Sequence, residues 1–174
     1  MQKKKNKPIY LVLILGVLLN LVFPQSSWAY EQIFLLPDAH ETQTQTTRLE
    51  VNLSRRRVFV YRGKNLIKSY PIAIGRRNWE TPTGRFKVQQ LLQNPTWIHP
   101  ITGKEIKGGT PENPLGNYWI GFWTDGRNWV GFHGTPNPET VGKAISHGCL
   151  RMYNRDIKEL FQLVTLGTSV NVIK

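Results

Sequence analysis

The chain carries a single cysteine, Cys149, within the segment Ser146-His147-Gly148-Cys149-Leu150-Arg151-Met152. A thiol near its free pKa of ~8.5 is mostly protonated at neutral pH, so a cysteine that attacks a carbonyl needs a base to take its proton. Two imidazoles lie nearby in sequence. His147 precedes Cys149 by two positions, which sets both side chains on one side of an extended segment, though not of a turn. His133 precedes it by sixteen, inside His133-Gly134-Thr135-Pro136, at the end of an apolar run that can hold it rigidly. Gly134 lets the backbone come close and could leave a carbonyl free to fix the imidazole tautomer. Gly148 permits a tight turn in which successive N–H groups converge on an oxyanion. Arg151 brings a fixed positive charge suited to a carboxylate. Taken one at a time, each of these is more often structural. Together they describe a candidate nucleophilic cysteine, Cys149, with His133 and His147 as the two imidazoles available to activate it. A zinc site built from His133, His147 and Cys149 is the weaker reading, because His147 and Cys149 stand closer than the usual finger ligands.

The first residues indicate the compartment. Lys3, Lys4, Lys5 and Lys7 lead an apolar run over 9–23, Pro24 breaks it, and Ser27-Trp28-Ala29 offers small residues at signal-peptidase spacing. That order is a secretory signal, expected over residues 1–29. As an uncleaved anchor it would be short, since fifteen helical residues rise about 22 Å against a hydrocarbon core of ~30 Å. Either way the chain is expected outside the cytoplasm, in the periplasm or cell wall. A lone thiol in that oxidising setting risks mispairing, which favours a functional cysteine over an accidental one. Of 23 basic residues four belong to the leader, and the remaining 19 stand against 11 acids, a formal +8. Such a surface is drawn to wall polymers, peptidoglycan carboxylates or anionic headgroups, although a merely solvated basic surface fits equally well. Nucleic acid is a poor partner outside the cytoplasm.

The elements that must position these groups are mostly strands. Residues 41–47 are polar and repetitive and end an N-terminal segment and linker expected over 30–47. The folded part is then a single domain over 48–174. Leu49, Val51 and Leu53 alternate with Glu50, Asn52 and Ser54. Further strands are expected over 58–61, 67–74, 85–92, 118–123, 129–132 and 169–173. The 129–132 run leads straight into His133. Asn154 is placed as a helix N-cap, with Asp156 in the first turn and Ile157, Leu160, Phe161 and Val164 at helical spacing before Gly167. Residues 93–116 hold four prolines and four glycines with little periodicity, which reads as a functional loop expected to cover Cys149.

The combined pattern closely resembles the L,D-transpeptidase catalytic domain of the YkuD type. The resemblance rests on the Ser146–Met152 segment with His133-Gly134-Thr135 before it. Pro71-Ile72-Ala73-Ile74-Gly75, Thr81-Pro82-Thr83-Gly84-Arg85-Phe86 and Asn113-Pro114-Leu115-Gly116 also resemble family landmarks. It implies a mainly β fold, a β-sandwich with one or two short helices and a lid loop. It also implies an enzyme that cuts the peptidoglycan stem peptide between the L-centre of diaminopimelate and D-alanine. The acyl group would pass through a thioester on Cys149 to an amine, giving a cross-link between third-position residues. Water or a lipoprotein can be the acceptor in some members. By the same resemblance His133 is the general acid/base, Gly134 orients it, His147, Gly148 and Cys149 form the oxyanion pocket, and Arg151 supports the site or binds substrate. No cofactor or metal is implied. The partners would be peptidoglycan stem peptides, met by a monomer with peripheral attachment to wall or membrane. A non-catalytic wall-binding module is the rival from another class, since Trp79, Trp97, Trp119, Trp123 and Trp129 could stack on sugars, but core or cleft packing is the commoner role.

Overall fold

A computed structural model of the chain describes residues 45–99 and 102–174. They belong to the unit Gln43–Lys174; the unit Met1–Thr42, which holds the expected signal, lies outside the described residues. Among the described residues no helix is long and apolar enough to cross a membrane.

The elements in chain order are β1 (Thr47–Asn52), β2 (Arg57–Arg62), β3 (Asn65–Pro71), β4 (Ile74–Gly75), β5 (Gly84–Lys87), β6 (Gln90–Gln93), β7 (Trp97–Ile98), β8 (Glu105–Ile106), β9 (Tyr118–Thr124) and β10 (Trp129–His133). A 3-10 turn at Pro138–Thr140 follows, then β11 (Ala144–Ser146), β12 (Leu150–Arg151), α1 (Asn154–Leu163) and β13 (Ser169–Ile173). One sheet has the order β3-β2-β1-β13-β5 and the other β12-β10-β9-β6.

Alternation decides which faces meet. In β1, Leu49 and Val51 turn inward and are fully buried, while Arg48, Glu50 and Asn52 turn outward. The antiparallel register of β2 sets Val60 beside Leu49 and Val58 beside Val51. The parallel register of β13 adds Val170 and Val172 to the same two rows. The second sheet answers with Ile120, Phe122, Phe132 and Leu150, all fully buried. Phe122 bridges the layers, with ring centres 5.6 Å from Phe86 of β5 and 5.3 Å from Phe132 of β10. The α1 helix closes one edge of this core with Ile157 and Leu160.

Two expected strands are each split, for the same physical reason. The 85–92 stretch changes sheets: β5 pairs with β13, and β6 pairs with β9. The crossing is marked by Val88 N–H bonding to Thr168 O and Gln89 N–H bonding to Gly121 O. The 67–74 stretch breaks at Pro71, and β4 leaves to pair with β11. In both cases the apolar pattern continues while the hydrogen-bond partner changes. Residues 93–116 contain a small β7–β8 hairpin rather than only loop. The loop is clasped by buried Asn113, whose Nδ2 donates to Pro95 O at 2.8 Å and whose Oδ1 accepts the Leu115 N–H at 2.9 Å.

Because Phe122 joins both sheets with no exposure, Phe122→Ala should cost about 3–5 kcal/mol of unfolding free energy. Urea unfolding measures it; a loss under about 1 kcal/mol would mean the two layers do not depend on this contact.

Candidate active site

The site grows from the pairing of β10 with β12. These strands run parallel, with Phe132 opposite Leu150 and His133 opposite Arg151. Phe132 and Leu150 point into the core and are fully buried. Period-two alternation then places His133 and Arg151 on the opposite face, together with Cys149, which precedes β12 by one residue. Gly131 lies across from the cysteine in this register. The half-buried Cys149 Sγ lies 3.7 Å from Trp129 O, and the Gly131 N–H faces the sulfur.

His133 is 5% exposed and firmly oriented. Its Nδ1 lies 2.6 Å from Gly134 O, and since a carbonyl only accepts, Nδ1–H is the donor. The neutral ring therefore offers Nε2 as the proton acceptor. Behind it, Trp119 stands opposite His133 in the β9–β10 register, with ring centres 6.1 Å apart and planes inclined by 27°. The Trp119 indole is itself fixed by Nε1–H donating to Gln90 Oε1 at 2.9 Å. It lies across Gly121 and Gly131, where any Cβ would collide with it. Gly134 is equally constrained, because a Cβ there would run into Asn154 Oδ1. That oxygen accepts the Thr135 N–H at 3.0 Å. Asn154 therefore does not cap α1, as its residue type suggests. Tyr153 occupies the cap position without a side-chain hydrogen bond, and Asn154 directs its oxygen to the segment that holds His133.

Burial dominates the electrostatics. It holds His133 down at about 4, aided by the charge of Arg151 and opposed by the carbonyls of Gly134 and Pro114. Burial also pushes the Cys149 thiol up, against the Gly131 N–H and Arg151, both of which favour thiolate. Both shifts oppose charge separation, so the resting pair at neutral pH is thiol and neutral imidazole.

The loop before the cysteine is tied on both sides. Gly148 has a φ of +111°, a conformation that suits glycine. Its carbonyl accepts Thr81 Oγ1–H at 2.9 Å, and Thr81 Oγ1 also accepts the Gly75 N–H at 3.1 Å. Fixing that carbonyl turns the Cys149 N–H to the other side of the peptide plane. Ser146 Oγ donates to Cys149 O at 2.6 Å and accepts the Gly148 N–H at 3.1 Å. The Gly148 N–H is thus engaged inside the loop, and those of His147 and Cys149 have no protein acceptor among the described residues. The His147 side chain is exposed and turned to Arg76, whose Nη2 lies 2.8 Å from its Nε2. A guanidinium only donates, so His147 Nε2 accepts and the ring is neutral there. Its pKa is lowered by what burial it has, then by Arg76 and Arg151.

Cys149, His133, Gly134 and Arg151 thus lie along the paired ends of β10 and β12, while the His147 ring is turned to Arg76. Sequence reasoning gives no individual role to Thr81, Ser146 or Arg76, and names Trp119 only among the tryptophans for sugar stacking or core and cleft packing. The signals for Thr81 and Ser146 are present in the Thr-Pro-Thr-Gly run and in the cysteine segment itself; Trp119 and Arg76 are linked to the site only across the fold. The return end of the 93–116 loop reaches the base, with the Pro114 carbonyl beside the His133 ring and Gly116 against Gly134. A cavity of about 390 Å³ opens between this loop and α1, lined in part by Asn113, Tyr118, Pro136 and Lys158. Among the described residues no three His, Cys, Asp or Glu side chains are grouped to hold a metal ion.

Residues 46–172 match the L,D-transpeptidase catalytic domain family, YkuD. Over 141 residues the chain is 36% identical to YkuD of Bacillus licheniformis, which carries an L,D-transpeptidase name, covering 81% of this chain and 74% of that protein. The Ldtfm–avibactam carbamoyl enzyme superposes with a TM-score of 0.60 at 30% identity, over 74% of this chain and 49% of that one. The catalytic domain of the Enterococcus faecium L,D-transpeptidase, solved by NMR, gives 0.57 at 28% identity, over 75% of this chain and 99% of that one. This chain therefore spans about half the length of the first of these solved enzymes. The two sheets, their crossing strand and the site on β10 and β12 form the fold of that catalytic domain, and the chain belongs to the L,D-transpeptidase family.

Proposed function

We propose that the protein is an exported peptidoglycan L,D-transpeptidase whose catalytic domain occupies 48–174 behind a cleaved signal over 1–29. The observation that carries this reading is the shared, largely buried face of Cys149 and His133, with Nδ1 of the base anchored on the Gly134 carbonyl. Cys149 Sγ attacks the carbonyl between the L-centre of diaminopimelate and D-alanine. As the C–S bond forms, His133 Nε2 takes the thiol proton. It gives that proton to the D-alanine nitrogen as the C–N bond breaks, leaving an acyl-thioester. An amine of a second stem then attacks the thioester and loses a proton to Nε2. That proton passes to the departing sulfur, and an amide joins two third-position residues. The N–H groups of His147 and Cys149 receive the developing oxyanion, with Gly148 shaping the turn that aims them. Gly134 holds the base through its carbonyl, and Arg151 binds a substrate carboxylate. Starting from a neutral pair, the proton moves during attack, because the buried site disfavours a standing ion pair. The proximity of Pro114 to the base supports a lid that limits water at the thioester.

Intact mass after incubation with a carbapenem or a defined tetrapeptide stem tests the nucleophile. The wild type should gain one covalent adduct, and Cys149→Ala should gain none while still folding. Labelling of Cys149→Ala at the wild-type rate would end this reading. His133→Ala should slow acylation by ~10²–10⁴-fold, the usual worth of a general base; a His147→Ala loss larger than that of His133→Ala would reverse the two roles.

The depressed His133 pKa sets a pH window with a definite sign. An unfolded histidine binds its proton near pH ~6.5, whereas folded His133 does so only at about 4. Stability from this group is complete above the unfolded value and falls as pH drops from ~6.5 to about 4, by roughly 3 kcal/mol at most. Acylation should hold its rate across that window and fail near the lower end, as Nε2 becomes protonated. Comparing wild type with His133→Gln by urea unfolding between about pH 7 and 4 isolates the stability change. An acylation rate that halves near pH ~6.5, the ordinary histidine value, would contradict the buried neutral base.

A further inference from the structure

Arg76, bonded to His147, and Arg151 stand at the two ends of the segment that carries Cys149, and neither has an acid partner among the described residues. Arg76 donates from Nη2 to His147 Nε2 at 2.8 Å, and its Nη1 lies 3.5 Å from Ile145 O. Its Cζ is 5.7 Å from the centre of the Trp79 ring, which also meets His147 edge-on at 4.7 Å. The indole and imidazole thus hold the guanidinium by cation–π attraction and hydrogen bonding rather than by an acid partner. Five N–H donors belong to a guanidinium, so three of those on Arg76 remain unused. Arg151 lies on the other flank, two residues beyond Cys149 and on the same face. Its charge is felt by His133, His147 and Cys149 alike.

Neither arginine has a carboxylate partner among the described residues, whose ion pairs are Arg48–Glu50, Lys68–Glu159 and Arg155–Asp156. The acid nearest to Arg76 in sequence is Glu80, and its carboxylate is turned onto the Asn78 N–H at 2.9 Å. Two partly buried cations that share one histidine neighbour repel each other, and an anion between or beside them removes that cost. The donor stem carries two carboxylates around the scissile bond: one on the terminal D-alanine and one on the D-centre of diaminopimelate. One guanidinium can bind only one of them bidentately.

We infer that Arg76 is a second carboxylate-binding residue, so that the site reads two carboxylates on the donor stem, one through Arg151 and the other through Arg76. This rests on the transpeptidase reading and narrows its substrate class to stems left unamidated at both positions. Trp79 serves the same end by a cation–π contact that helps direct the guanidinium fork.

The test measures kcat and KM with three tetrapeptide stems: both carboxylates free, only the diaminopimelate carboxylate amidated, and only the D-alanine carboxylate amidated. The protein is compared as wild type, Arg76→Gln and Arg76→Lys, with thermal unfolding showing that the variants fold. The wild type should show a KM raised about 10- to 100-fold for each amidated stem, the worth of a charge-assisted hydrogen bond. Arg76→Gln should raise KM for the free stem and lose discrimination in one amidated arm while keeping it in the other. The arm that changes identifies which carboxylate Arg76 reads. Arg76→Lys should restore part of the lost discrimination, because charge returns without the fork. If Arg76→Gln discriminates like the wild type in both arms, or the wild type ignores amidation in both, the inference is overturned while the transpeptidase reading stands. Turnover of no stem by the wild type would instead sink the transpeptidase reading, and this inference with it.

Discussion

Parallel pairing of β10 with β12, locked by burial of Phe132 beside Leu150, is the constraint on which the catalytic face depends. Each of these side chains contributes on the order of 1.5–3 kcal/mol by leaving water. Their energy fixes more than stability. Side chains alternate along a strand, so a slip of one residue would send His133 and Cys149 into the core and Phe132 out to solvent. Hydrophobic burial on one face is therefore what aims the polar chemistry on the other. The extra hydrogen bonds from Met152 N–H to His133 O, and between Ala73 and Arg151, hold the same register from both sides.

Electrostatics at the site are set by lack of water rather than by counter-charges. His133 sits beneath Trp119, tied to Gly134 and backed by Asn154, and has little exposure through which an imidazolium could be hydrated. The fixed charge that acts on it is Arg151, which works against protonation. A thiolate–imidazolium pair is consequently disfavoured at rest, which also limits idle reactivity of a thiol exposed to oxidants. Thr81 and Ser146 supply the complementary rigidity, holding the Gly148–Cys149 peptide so that donors need not reorganise when charge develops. Arg76 and Arg151 have no carboxylate partner among the described residues, so the positive charge there is balanced by no side chain of the fold.

Much of this is legible in the sequence because it is local. The spacing of His133 and Cys149, the glycines beside each and the alternation over 49–53, 118–123 and 129–132 all lie within short windows. The strand breaks in 67–74 and 85–92 are not legible, because an apolar pattern does not say which sheet a strand joins. Asn154 misleads as a cap for a related reason: its type suits a helix start, but its partner, Thr135, lies on another element. The contacts between Thr81 and Gly148 and between Arg76 and His147 join positions 67 and 71 residues apart, which no local pattern encodes. Residues 1–44, which hold the expected signal and most of the expected linker, lie outside the described residues.

Burial keeps the Cys149–His133 pair neutral, and the Gly134 carbonyl fixes the proton of His133 on Nδ1. Nitrogen-15 NMR of the resting protein, with histidines labelled and His133 assigned through His133→Gln, measures both facts at once. The His133 ring should be neutral, with Nδ1 protonated and Nε2 bare at neutral pH, and should titrate at about 4. An imidazolium signal for His133 at neutral pH, or a neutral ring carrying its proton on Nε2, would contradict it.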